Sequence, residues 1–150
     1  MILAIDPGPT ESAFLGMHDG RPFYSGKGDN AEVSGHIKWD SYDCLVIEEI
    51  QSFGMAVGKE VFRTARWAGR FEQMASERGI LVHLVGRREV KLHWCGSPRA
   101  KDTNVRQALI DHYGPPGTKK NPGVTYGIKK DVWSALAIAG YWHAKQQGRA

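Results

Sequence analysis

The sequence contains no apolar run of the roughly 20 residues that a membrane-crossing helix needs, and no membrane partner is expected. Cysteine is scarce. The two present, Cys44 and Cys95, are far apart, which gives neither a zinc motif nor a disulfide framework and points to a reducing, cytoplasmic setting. Cys44 lies in an apolar run and is read as a buried thiol. There is no histidine–cysteine cluster, no internal repeat and no linker long enough to divide the chain. The opening Met1-Ile2-Leu3-Ala4-Ile5-Asp6 carries no basic leader, so a signal peptide is not expected. A large excess of one charge is also missing. The net charge of +4 permits a polyanionic partner without requiring one.

What is present suits one globular domain. A chain of 150 residues can bury a substantial core, and 41% hydrophobic with 24% charged residues is ordinary for a folded protein. Residues 1–150 are read as a single domain.

The hydrophobic pattern predicts the elements. Ile2 to Ile5 is a short apolar run, consistent with a buried strand that Asp6-Pro7-Gly8-Pro9 ends. Ser12 to Met17 and Arg21 to Ser25 flank Asp19-Gly20, a hairpin turn signal. A short helix is expected over Ala31 to Lys38, then a strand over Cys44 to Ile47 followed by Glu48-Glu49. From Lys59 to Arg78 apolar residues recur at three- and four-residue steps (Val61, Phe62, Ala65, Ala68, Phe71, Met74, Ala75), the stripe of an amphipathic helix. Ile80 to Val85 is a strand. Asp102 or Thr103 can cap a helix carrying Val105, Leu109, Ile110 and Tyr113. Residues 114–123 hold three prolines and three glycines and form a loop. A last helix is expected over Lys129 to Gln146, with Val132, Ala135, Leu136, Ala139 and Trp142 or His143 packed. This order suggests a mixed sheet with helices against it.

Three acids stand where chemistry could use them. Asp6 and Glu48 each follow an apolar strand, and Asp131 begins the last helix, where the dipole favours it. If the two strands are neighbours, their ends bring Asp6 and Glu48 together. Three converging carboxylates suit a hard cation such as magnesium or manganese, and a pair of such ions suits in-line attack of water on a phosphodiester. The spacing alone leaves open that the first two are loop residues and the third a helix cap.

Four segments together resemble RuvC-type Holliday junction resolvases. Asp6-Pro7-Gly8 after its apolar run resembles the family's opening strand, and Val46-Ile47-Glu48-Glu49-Ile50 its second acidic motif. Ser97-Pro98-Arg99-Ala100-Lys101-Asp102 is similar to the family's small–basic segment before its third helix, and Asp131 through Ala139 to the final motif. They come in family order and span nearly the whole chain; the compact length and variant last motif resemble phage-type members loosely. The resemblance implies an α/β RNase H-like fold, a mixed five-stranded sheet with three antiparallel strands then two parallel ones, flanked by helices. It also implies a homodimer, two Mg2+ ions per site (Mn2+ able to substitute) and paired nicking of four-way junctions in a bacterial or phage-infected cytoplasm. By position, Asp6, Glu48 and Asp131 become metal ligands and catalytic residues, and Lys101 a basic residue close to the scissile phosphate. Ser134 departs from the pattern, since the family usually places a carboxylate there. Glu49 should face the other side of the sheet.

Basic residues that phosphates could use fall into two clusters, one with Arg87, Arg88, Lys91, Arg99 and Lys101, the other with Lys119, Lys120, Lys129 and Lys130. Lys91, Arg99 and Lys101 are the stronger candidates for DNA contact. Phe53 follows Glu48 in an expected loop and could stack on or wedge between bases, or pack in the core. Arg63, Arg66 and Arg70 lie on the helix after it and could serve phosphates or solubilise one face. Trp67, Trp133 and Trp142 are read as packing residues. Because a junction has near two-fold symmetry, paired cutting asks for a two-fold dimer. The helix over Lys59 to Arg78 is expected to form part of the interface, since Trp67 lies off its main apolar stripe. Two other functions stay open: a broader nickase of forks and flaps, and a non-catalytic junction-binding module.

Overall fold

A computed structural model describes residues 1–148. In chain order the elements are β1 (Ile2–Asp6), β2 (Glu11–His18), β3 (Arg21–Asp29), α1 (Asn30–Trp39), β4 (Cys44–Glu49), α2 (Lys59–Glu77), β5 (Leu81–Gly86), α3 (Arg87–Cys95), α4 (Asp102–Tyr113) and α5 (Val132–Gln146). The five strands form one sheet in the order β3-β2-β1-β4-β5. The three leading strands are antiparallel neighbours, and β1, β4 and β5 run parallel. This is the mixed five-stranded sheet that the resemblance implies.

Strand alternation divides the sheet into two faces with different cores. Leu3, Ile5, Leu45 and Ile47 point toward α1 and α2 and pack with Val33, Ile37, Phe71 and Ala75. Ala4 and Val46 point the other way, toward α5, with Ala135, Leu136 and Ala139. Small residues on this second face let α5 lie close to the sheet. The same alternation carries Asp6 and Glu48 onto the α5 face. Glu49 falls on the opposite face, as expected, and its carboxylate accepts from Gln51.

Several elements depart from the sequence pattern. Helix α3 has no counterpart among the expected elements. It has nine residues and buries Val90, with Trp94 and Cys95 partly buried against the same core, and Gly96 in the left-handed region (φ +69°) ends it. Helix α5 starts at Val132 rather than Lys129, because Lys130 takes a φ of +46°, incompatible with a continuing helix. It is buried on all sides from Val132 to Tyr141, not along one stripe, since α3 and α4 cover the face turned away from the sheet. On α2 the stripe is rotated from the expected one. Trp67 packs on Phe71, ring centroids 5.7 Å apart, while Phe62 is 63% exposed. Trp67 is thus part of the packed face, and Phe62 and Ala65 are left outside it. Neither Asp102 nor Thr103 caps α4. Lys101 holds the N-cap position, and Asp102 is drawn into ion pairs instead. Cys44 is half-buried rather than fully so; burial still raises its thiol pKa.

Candidate active site

Register explains how the acids meet. Ile5 of β1 lies beside Ile47 of β4, so the next residues, Asp6 and Glu48, stand side by side at the carboxyl ends of parallel strands. Helix α5 begins over this edge, with Asp131 at its N-cap and Ser134 in its first turn. These four residues share a cleft of about 320 Å³ with Arg87, Lys91, Asp102, Arg106 and Lys130. The sequence-predicted trio therefore lines one cleft.

The charges inside it are not free. Lys27 of β3 donates to Asp131 Oδ2 at 2.7 Å. Arg87 at the start of α3 donates to Glu48 Oε1 at 3.4 Å, and to both oxygens of Asp102 at 3.0 and 3.1 Å. Lys91 Nζ is 3.2 Å from Asp102. Asp6 differs: among the described residues, no cation forms an ion pair with it. Burial, and then the Glu48 carboxylate beside it, push Asp6 up to about 7, against the pull of Arg87 and the Ser134 hydroxyl. Burial also raises Glu48, with Arg87 opposing. Burial acts upward on Asp102 too, but Lys91 and Arg87 outweigh it and leave that carboxyl below its ordinary value.

This donor set is chemically apt for a hard divalent cation: three carboxylates, with Asp6 and Glu48 largely buried and Asp6 without a counterion. A buried carboxylate with no counterion is costly, and a bound cation relieves that cost. Among the described residues, no three His, Cys, Asp or Glu side chains already stand close enough together to hold an ion. Lys27 and Arg87, which hold Asp131 and Glu48, are the cations that an incoming ion competes with.

The remaining candidates surround the cleft unevenly. Lys91 lines it and is engaged by Asp102. Arg99 and Lys101 are exposed in the segment leading into α4, and Lys101 is not part of the cleft lining. Phe53 is 49% exposed in the loop after β4, with the Arg88 guanidinium 4.3 Å from its ring centroid. Arg63 and Arg66 line a second pocket of about 180 Å³ with Arg70, Trp67, Pro9 and Thr10. Since Pro9 and Thr10 belong to the turn after Asp6, this basic pocket opens at the same end of the sheet as the cleft. Lys27 carries no signal in the sequence, where it sits in a polar strand with no motif. Arg87 stands out there only as one of a basic cluster.

No family model matches the chain, and no curated protein matches it. Solved structures do. A structure of Thermus thermophilus RuvC superposes with a TM-score of 0.70 at 19% identity, covering 99% of this chain and 97% of that one. A T. thermophilus RuvC in complex with Holliday junction substrate superposes with a TM-score of 0.70 at 18% identity, covering 99% and 96%. At such identities the likeness establishes the fold: over 99% of its length this chain is built like RuvC.

Proposed function

We propose that the protein is a structure-specific endonuclease that resolves Holliday junctions and related branched DNA, a hydrolase that depends on Mg2+ or Mn2+. The observation that carries this reading is the pairing of Asp6 with Glu48 at neighbouring strand ends beneath Asp131, in a chain whose fold matches a RuvC solved with a Holliday junction. Asp6, Glu48 and Asp131 are the residues that would hold the metal. When bound there, the metal supplies Lewis acidity toward phosphate and water.

The chain's own residues supply the rest. Asp6, with a pKa near 7 in the metal-free protein, exchanges its proton for a cation close to neutral pH. Arg87 and Lys91 neutralise Asp102 and keep a positive wall on the cleft for a phosphate to approach. Arg99 and Lys101 extend that wall along the segment before α4, and Arg63 and Arg66 offer a second backbone contact across the strand ends. Phe53, held by Arg88, is the residue in reach of an unpaired base. A two-fold homodimer matches the symmetry of the junction, and the exposed Phe62 on α2 suits its contact surface.

A second reading has one observation in its favour. Ser134 removes a carboxylate from the cleft, and Lys27 already neutralises Asp131, as a non-catalytic junction binder could tolerate. Cleavage assays on a labelled four-way junction, replication fork, flap and plain duplex decide among the readings. The expected result is metal-dependent nicking of the junction in preference to plain duplex. Equal cutting of forks and flaps makes the enzyme a broader branched-DNA nickase. Junction binding with no cutting in either metal establishes the binder.

A further inference from the structure

One row of residues runs straight across the sheet on the α5 face. Lys27 lies beside Ala13, Ala13 beside Asp6, and Asp6 beside Glu48. Residues directly opposite one another on adjacent strands project to the same face. Ala13 is buried and has only a methyl group, so the Lys27 side chain passes over it and reaches Asp131, 104 residues away in sequence, at 2.7 Å. Its ammonium is also 4.0 Å from Glu11. A lysine in this position is a resident cation at the acid cluster.

Charge balance gives it a role. The cleft lining carries the carboxylates of Asp6, Glu48, Asp102 and Asp131 against Arg87, Lys91, Arg106 and Lys130, and Lys27 at Asp131 adds one positive charge. A single divalent ion raises this excess to three, which DNA phosphates neutralise. A second would raise it to five in a partly desolvated cleft, where like charges repel strongly. Ser134, in the first turn of α5, provides no carboxylate to absorb them.

Resting on the metal-site reading above, we infer that Lys27 takes the place of a second divalent cation, so that this chain loads one metal ion per site and completes the site's positive charge with its own ammonium. Lys27 acts electrostatically on Asp131 and the bound phosphate. It is a positioning residue and transfers no proton.

Direct counting of bound Mn2+, by the loss of the free-ion paramagnetic signal on titration into DNA-free protein, tests this without reference to activity. Wild type is expected to saturate at one ion per chain. Lys27→Met, a change at an exposed edge-strand side chain whose folding circular dichroism can verify, is expected to bind Mn2+ about tenfold more tightly once the competing ammonium is gone. Lys27→Met combined with Ser134→Asp is expected to bind a second ion. Two ions of similar affinity on wild type, unchanged affinity in Lys27→Met, or a single ion on the double variant each overturn the inference while leaving the metal site standing. No ion on wild type overturns the metal site and this inference together.

Discussion

The two faces of the central sheet are made from alternate residues of the same strands, yet they are built for different purposes. Toward α1 and α2 the strands present Leu3, Ile5, Leu45 and Ile47 around Phe71, an apolar layer that on β4 runs out into the solvent-exposed Glu49. Toward α5 they present Ala4 and Val46 and then, at the next residues on that face, Asp6 and Glu48. On β1 and β4 one face buries large side chains. The other uses small ones there, with Leu15 and Met17 of β2 buried beside them, brings a helix close, and ends in acids that burial holds above their ordinary pKa. A period of two lets one strand serve both needs, because a residue and its neighbour never compete for the same environment. Stability and chemistry should therefore be separable by mutation.

The largest effect is expected from Asp6→Asn. Loss of the uncompensated carboxylate should lower cleavage by about a thousandfold or more, equivalent to roughly 4 kcal/mol of transition-state stabilisation, while the metal-free protein unfolds at a higher temperature than wild type. A lower melting temperature would show that the α5 face contributes more to stability than the contrast between the faces allows. Next comes Phe71→Ala on the other face. Phe71 is fully buried, and its truncation should cost about 3–5 kcal/mol, read from denaturant midpoints, with cleavage per folded molecule little changed.

A pH series sharpens the same contrast. Asp6 is raised from 3.8 to about 7 in the fold, so the folded state binds its proton more tightly than the unfolded chain does. Its contribution to stability is present below about pH 4 and is lost as pH rises toward 7, at roughly 1.4 kcal/mol for each pH unit crossed. Metal-free wild type should lose stability over that window, and Asp6→Asn should lose much less. Saturating Mn2+ should restore wild type at pH 7 and leave the variant unmoved. The smallest effect is expected from Arg63→Ala with Arg66→Ala. Junction affinity should fall by about tenfold, and the slope of log affinity against log salt should decrease by about 2, as for two lost phosphate contacts. An unchanged slope would mean that these arginines only solubilise α2.

How much of this is legible in the sequence depends on the range over which each feature is encoded. The strands and the acids at their ends can be read because apolar runs and period-two alternation are local, and Asp6 and Glu48 interrupt them at once. The rotated stripe of α2 cannot. Phe62 and Trp67 fit a helical period about equally well, and only the packing of Phe71 between α2 and the sheet decides which is covered. Helix α3 is easily missed because it is only nine residues long, with Val90, Trp94 and Cys95 as its contacts to the core. Lys27 is the hardest to foresee. Its partner Asp131 is distant in sequence, and the contact needs the β2–β3 register, the small Ala13 between them and the placement of α5, none of which is a local property. Asp102 illustrates the reverse error: it has the right residue type and position for a cap, yet two nearby cations, Arg87 and Lys91, bind it more strongly than the helix end does.

The most direct test of the central claim is cleavage of a labelled synthetic four-way junction in magnesium by wild type and Asp6→Asn, with junction binding measured alongside. Paired, symmetrical nicks by wild type that vanish in the variant, while binding persists, are the predicted result. Undiminished cutting by Asp6→Asn would contradict the assignment of the acid row as the active site.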